Sequence, residues 1–105
     1  MADAHVTVQV DTEQEPVLVT VTGEVDAEGA PTLAEALAGA GEGDVAFDLA
    51  FDLAGVTFID SSGLRVIAGA AGEAERTGRS CTVVAASPAV ERIFTMTGLT
   101  GLLQG

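Results

Sequence analysis

The stretch Phe58-Ile59-Asp60-Ser61-Ser62-Gly63-Leu64 holds the clearest chemical potential: a carboxylate, two hydroxyls and a glycine after an apolar segment. Such a run reads as a strand end, a loop and a helix start. Helix N-terminal N–H groups and the macrodipole favour negative charge by roughly 0.3–2 kcal/mol, so the spot suits an anion or a phosphorylated hydroxyl. From these residues alone two readings stay open. Ser61 and Ser62 cap a helix and do nothing more, or one hydroxyl carries chemistry. A nucleophilic serine needs a general base. The one histidine, His5, falls in the N-terminal strand and reads as a solvent-edge residue. A carboxylate pair of Asp60 with Asp52 carries little weight where acidic residues are so abundant. No P-loop, dinucleotide fingerprint or metal-ligand spacing occurs. Neither an enzyme, a cofactor nor a metal is expected.

The elements that must position this segment follow from periodicity. His5-Val6-Thr7-Val8-Gln9-Val10 and Val17-Leu18-Val19-Thr20-Val21-Thr22 alternate with a period of two, and the polar Asp11–Pro16 stretch between them predicts a hairpin. Asp26 and Pro31 signal a helix carrying Leu33, Ala34, Leu37 and Ala38, ended by Gly39 to Gly43. A buried strand is expected within Val45 to Leu53, then a loop from Gly55 to Asp60. Asp60 or Ser61 caps a helix from about Ser62 to Thr77, with Leu64, Ile67, Ala68 and Ala71 inward and Gly78 as its stop. Ser80 to Ala86 reads as a strand, and Ser87-Pro88 opens a short helix closed by Gly98. Leu102-Leu103 offers a last strand. The expected fold class is α/β: one domain over residues 1–105, order β-β-α-β-α-β-α-(β), with a mixed four- to five-stranded sheet and three helices.

Phe47-Asp48-Leu49-Ala50 repeats at once as Phe51-Asp52-Leu53-Ala54. Four is an even number, so sliding the strand by one repeat keeps every side chain on its face, and the inward–outward pattern cannot choose the register. The second copy is expected in the strand, because the loop after a helix absorbs four extra residues at little cost.

Composition narrows the function classes. At 105 residues the chain suits one core, and no apolar run reaches the ~20 residues that span a bilayer. Met1-Ala2-Asp3-Ala4-His5 has no signal-peptide character, and the single Cys81 fits a reducing compartment, so a cytoplasmic protein is expected. Cys81 reads as a packing residue, as do Phe94 and Met96. Sixteen acidic residues face four arginines and no lysine, a net charge of -12. That surface repels phosphate backbones and anionic lipids, which argues against direct nucleic-acid or membrane binding.

Asp52-Leu53-Ala54-Gly55-Val56-Thr57-Phe58-Ile59-Asp60-Ser61-Ser62-Gly63-Leu64 closely resembles the phosphorylation-site signature of STAS-domain anti-sigma-factor antagonists, bacterial partner-switching regulators. Thr22-Gly23-Glu24-Val25-Asp26 resembles that family's loop after the second strand, and the Ser87–Leu99 segment resembles its third helix. The likeness spans about Val6 to Leu103. It implies that Ser61, directly after the aspartate, is the phosphoacceptor. It also implies that the unmodified chain binds an anti-sigma factor with serine kinase activity, that phosphorylation releases it, and that a serine phosphatase resets it. Asp26 matches a partner-binding loop residue. Asp60, Ser62, Gly63, Leu64 and Arg65 are the other expected partner-binding positions, and a monomer is the expected state. Departures from the family pattern are the repeat, the usual C-terminal helix, which is missing, and Arg65 where a small residue is common. The rival reading is a non-enzymatic STAS scaffold subunit of a stress-signalling or lipid-transport complex, since fold alone does not settle function.

Overall fold

Alternating β-branched residues build the first hairpin. In the computed structural model, which describes residues 5–41 and 48–98, β1 (Val6–Asp11) and β2 (Val17–Val25) pair antiparallel, with Val8 opposite Val21 and Val10 opposite Val19. The period of two sends Val17, Val19, Val21 and Val25 to one face, where all four are buried. There follow α1 (Ala30–Gly41), β3 (Leu49–Ile59), α2 (Ser61–Arg76), β4 (Cys81–Ala86) and α3 (Pro88–Thr97). The sheet order is β1-β2-β3-β4, with β2–β3 and β3–β4 parallel. Parallel neighbours need crossover connections, and α1 and α2 supply them. The expected mixed sheet and element order are both present. The strand expected at Leu102-Leu103 lies outside the described residues.

The core is a single cluster. Leu33 from α1, Ile67 from α2, Val90 and Phe94 from α3 and Phe51, Leu53 and Val83 from the sheet are almost wholly withdrawn from solvent. Phe51 is fully buried and pairs in register with Val19, so the second copy of the repeat fills the strand. Asp48 anchors its start: the carbonyl accepts from the Val17 N–H at 2.9 Å and Oδ1 accepts from the Ser80 N–H at 2.9 Å. Phe47 lies outside the described residues.

Two boundaries differ from the sequence expectation. The stretch from Gly55 to Ile59 is strand, not loop, because β2 offers it a partner: Gly55 sits opposite Thr22, Val56 opposite Gly23, Phe58 opposite Glu24 and Ile59 opposite Val25. Gly55 marks a close approach, since a Cβ there would lie 2.6 Å from the Thr22 Cγ2. The first helix also runs through Gly39 to Gly41. Elsewhere the punctuation holds. Ser87 caps α3 with Pro88 in its first turn, and Gly98 closes it at φ 77°.

Candidate functional site

Parallel pairing of β2 and β3 sets their carboxyl ends side by side, the usual place for a site in an open α/β sheet. Val25 and Ile59 are register partners, so Asp26 and Asp60 leave adjacent strand ends. The Asp60 N–H donates to the Val25 carbonyl at 3.4 Å, tying the two exits together.

Asp60 is the N-cap of α2. Its backbone is extended, at φ -120° and ψ -168°, and Oδ1 accepts from the Ser62 N–H at 2.9 Å and the Gly63 N–H at 3.3 Å. Its carbonyl accepts from the Leu64 N–H at 2.9 Å. The carboxylate therefore occupies the helix-end donors that the sequence offered to an outside anion. Neither serine side chain caps the helix. Ser61 is exposed and its hydroxyl has no hydrogen-bond partner among the described residues, while Ser62 is half-buried. Gly63 and Leu64 are buried, so they hold the loop from beneath, and Arg65 returns to solvent.

The second loop is equally fixed. Asp26 Oδ1 accepts from the N–H groups of Glu28 at 3.0 Å and Gly29 at 2.8 Å, and its carbonyl accepts from the Ala30 N–H at 2.8 Å. The fold also brings in His5, whose Nε2 lies 3.2 Å from both Asp26 carboxylate oxygens. The Gly29 N–H, then the His5 contact, hold the Asp26 carboxyl below the usual carboxylate range; the Asp26 hydrogen bond raises the His5 imidazole above 6.5. Glu24 and Glu28 stand 4.0 and 3.9 Å from the same nitrogen.

Sequence reasoning missed two members of this neighbourhood. Phe58, one residue before Ile59, is 47% exposed, a large apolar side chain beside the Asp60–Ser61 turn. Its place just ahead of the acidic and hydroxyl residues was the available signal. His5 reaches Asp26 across 21 residues, which only the hairpin register reveals. Of the packing expectations, Phe94 is in the core, whereas Met96 is 76% exposed. Cys81 is half-buried at the start of β4, and burial pushes its thiol up to about 11.

Known proteins share this arrangement. The family model described as "Mlab, STAS domain" matches residues 8–104. A crystal structure of an anti-sigma factor antagonist from Mycobacterium paratuberculosis is 30% identical, covers 93% of this chain and 82% of that one, and superposes with a TM-score of 0.77. The anti-sigma factor antagonist SpoIIAA in its unphosphorylated form is 23% identical over 93% of this chain and 86% of that one, with a TM-score of 0.78. SpoIIAA of Bacillus in its phosphorylated form is 21% identical over 93% and 89%, with a TM-score of 0.73. The SpoIIAA structures speak to the fold alone. With the family model across nearly the whole chain and the mycobacterial relative beside it, the chain belongs to the STAS-domain family of anti-sigma-factor antagonists.

Proposed function

We propose that this chain binds, unphosphorylated, an anti-sigma factor that is also a serine kinase, and is released when that kinase phosphorylates Ser61. The carrying observation is the exposed, unengaged Ser61 hydroxyl at the mouth of α2, presented by a turn in which the Asp60, Ser62, Gly63 and Leu64 N–H groups are all hydrogen-bonded. Asp26, Asp60, Ser62 and Arg65 form the surrounding surface, with exposed Phe58 as an apolar contact. Gly63 and Leu64 contribute from below by fixing the loop. The mycobacterial antagonist favours this reading over a scaffold subunit.

Charge is sufficient to drive the release. A phosphoserine carries about -1.5 to -2 charges at neutral pH. Each unit pair of like charges at ~6 Å costs about 3 kcal/mol with an effective dielectric near 20. A few kcal/mol is roughly a hundred- to thousand-fold in affinity. No refolding is required. A serine phosphatase resets the cycle, and the chain acts as a cytoplasmic monomer with no catalysis of its own. Among the described residues no helix is long and apolar enough to cross a membrane, which is compatible with that setting.

The test is incubation with candidate anti-sigma kinases and ATP, read by intact mass. A one-phosphate gain that disappears in Ser61→Ala supports the proposal. A gain that persists in Ser61→Ala, or no gain with a kinase that binds the chain, rejects it.

A further inference from the structure

We propose that His5, Glu24 and Asp26 form a binding site for a divalent transition-metal ion of the zinc class. No local spacing in the sequence announces it. The donors come from the residue ahead of β1 and from the end of β2 with its turn, and the hairpin register assembles them. One oxygen or nitrogen atom from each of His5, Glu24 and Asp26 falls within a sphere of mutual distances no greater than 4.8 Å. His5 Nε2 is 3.2 Å from the Asp26 oxygens, 4.0 Å from Glu24 Oε1 and 3.9 Å from Glu28 Oε1. Donors bound at about 2.0–2.2 Å to a tetrahedral zinc ion stand roughly 3.3–3.6 Å from one another. The His5–Asp26 separation is already close to that spacing, and Glu24 must draw in to complete the set.

Charge and donor type select the ion. One imidazolium offsets only one of the three carboxylates gathered around it, in a chain with no lysine and a net charge of -12. A divalent ion offsets two and takes the imidazole as a neutral ligand, with any proton on Nε2 passing to solvent. An imidazole nitrogen among carboxylate oxygens suits zinc-class ions, whereas magnesium and calcium favour all-oxygen shells. The backbone beneath is already organised. Asp26 Oδ1 is held by two N–H groups, which leaves Oδ2 for the ion, and the Glu24 N–H donates to the His5 carbonyl at 2.9 Å. Gly29 keeps the turn tight, since a Cβ there would lie 2.5 Å from the Glu24 carbonyl oxygen. A bound ion would thus pin the Asp26 loop to the first strand. The site does not depend on the chemistry of Ser61.

The experiment is calorimetric titration of the full, chelator-stripped chain with zinc chloride, alongside NMR of the His5 imidazole and the Glu24, Glu28 and Gly29 amides. Saturable one-to-one binding is expected, with shifts at those groups and magnesium weaker by at least roughly tenfold. His5→Gln and Glu24→Gln, both exposed positions outside the core, should each weaken zinc by at least roughly tenfold. Cys81→Ser should leave it unchanged. Absence of saturation, equal affinity for magnesium, full affinity in His5→Gln, or loss in Cys81→Ser would each overturn the assignment.

Discussion

Gly63 packs directly on Val25: a Cβ at position 63 would lie 2.5 Å from both the Val25 Cγ1 and the Val25 carbonyl oxygen. The same Cβ would stand 3.0 Å from the Ile59 Cγ1. The start of α2 is therefore seated against the ends of β2 and β3, and the position of Ser61 follows from that seat. Gly63→Ala should force α2 away from the sheet edge and destabilise the fold by about 1–3 kcal/mol, the usual range for overpacking. Denaturant unfolding measures the loss. Amide shifts at Asp26 and Ser61 should accompany it, and a neutral Gly63→Ala would show that the seat is loose.

Asp60 should act on stability as a cap. Asp60→Ala removes the acceptor for two N–H groups and is expected to cost about 0.5–2 kcal/mol. Asp60→Asn and Asp60→Ser, which keep an acceptor, should recover most of it. Equal losses in all three would mean that the carboxylate charge, and not the cap, is what matters there.

The repeat yields a register test. Phe51→Ala empties a fully buried slot and should cost about 3–5 kcal/mol. Phe47→Ala, ahead of the first strand residue Leu49, should cost far less. Comparable losses from the two would contradict the register seen here.

Cys81 should be slow to react. Burial raises its thiol from 9.0 to about 11, which lowers the thiolate fraction near pH 8 by about a hundredfold. Labelling with an alkylating reagent should therefore lag a free peptide thiol by about that factor in the folded chain and match it in denaturant. The sign for stability follows. The folded state holds the proton more tightly, so this contribution is whole below pH 9 and is lost as pH rises through about 11. Folded-state labelling at the free-thiol rate would contradict the burial.

How much the sequence revealed depended on how local each signal is. The hairpin and the Ser87-Pro88 and Gly98 boundaries were legible because turn and cap chemistry is written in adjacent residues. The choice of Phe51 over Phe47 was legible because loop closure is inexpensive. The last residues of β3 were not: Val56 to Ile59 is strand only because β2 lies alongside, and Gly55, expected to open a loop, is where Thr22 comes close. The Asp60 cap was one of two options in the sequence, and geometry decided between it and Ser61. The His5–Asp26 pair was invisible for the same reason as the β3 extension, being made by strand register and not by neighbours in the chain.

The most direct test of the switch is the affinity of the anti-sigma kinase for the unmodified chain and for Ser61→Asp, measured side by side in the same buffer. Clear weakening is expected, approaching a hundredfold as the substituted charge approaches that of a phosphate. A carboxylate at that position that left binding as tight as the serine would contradict it.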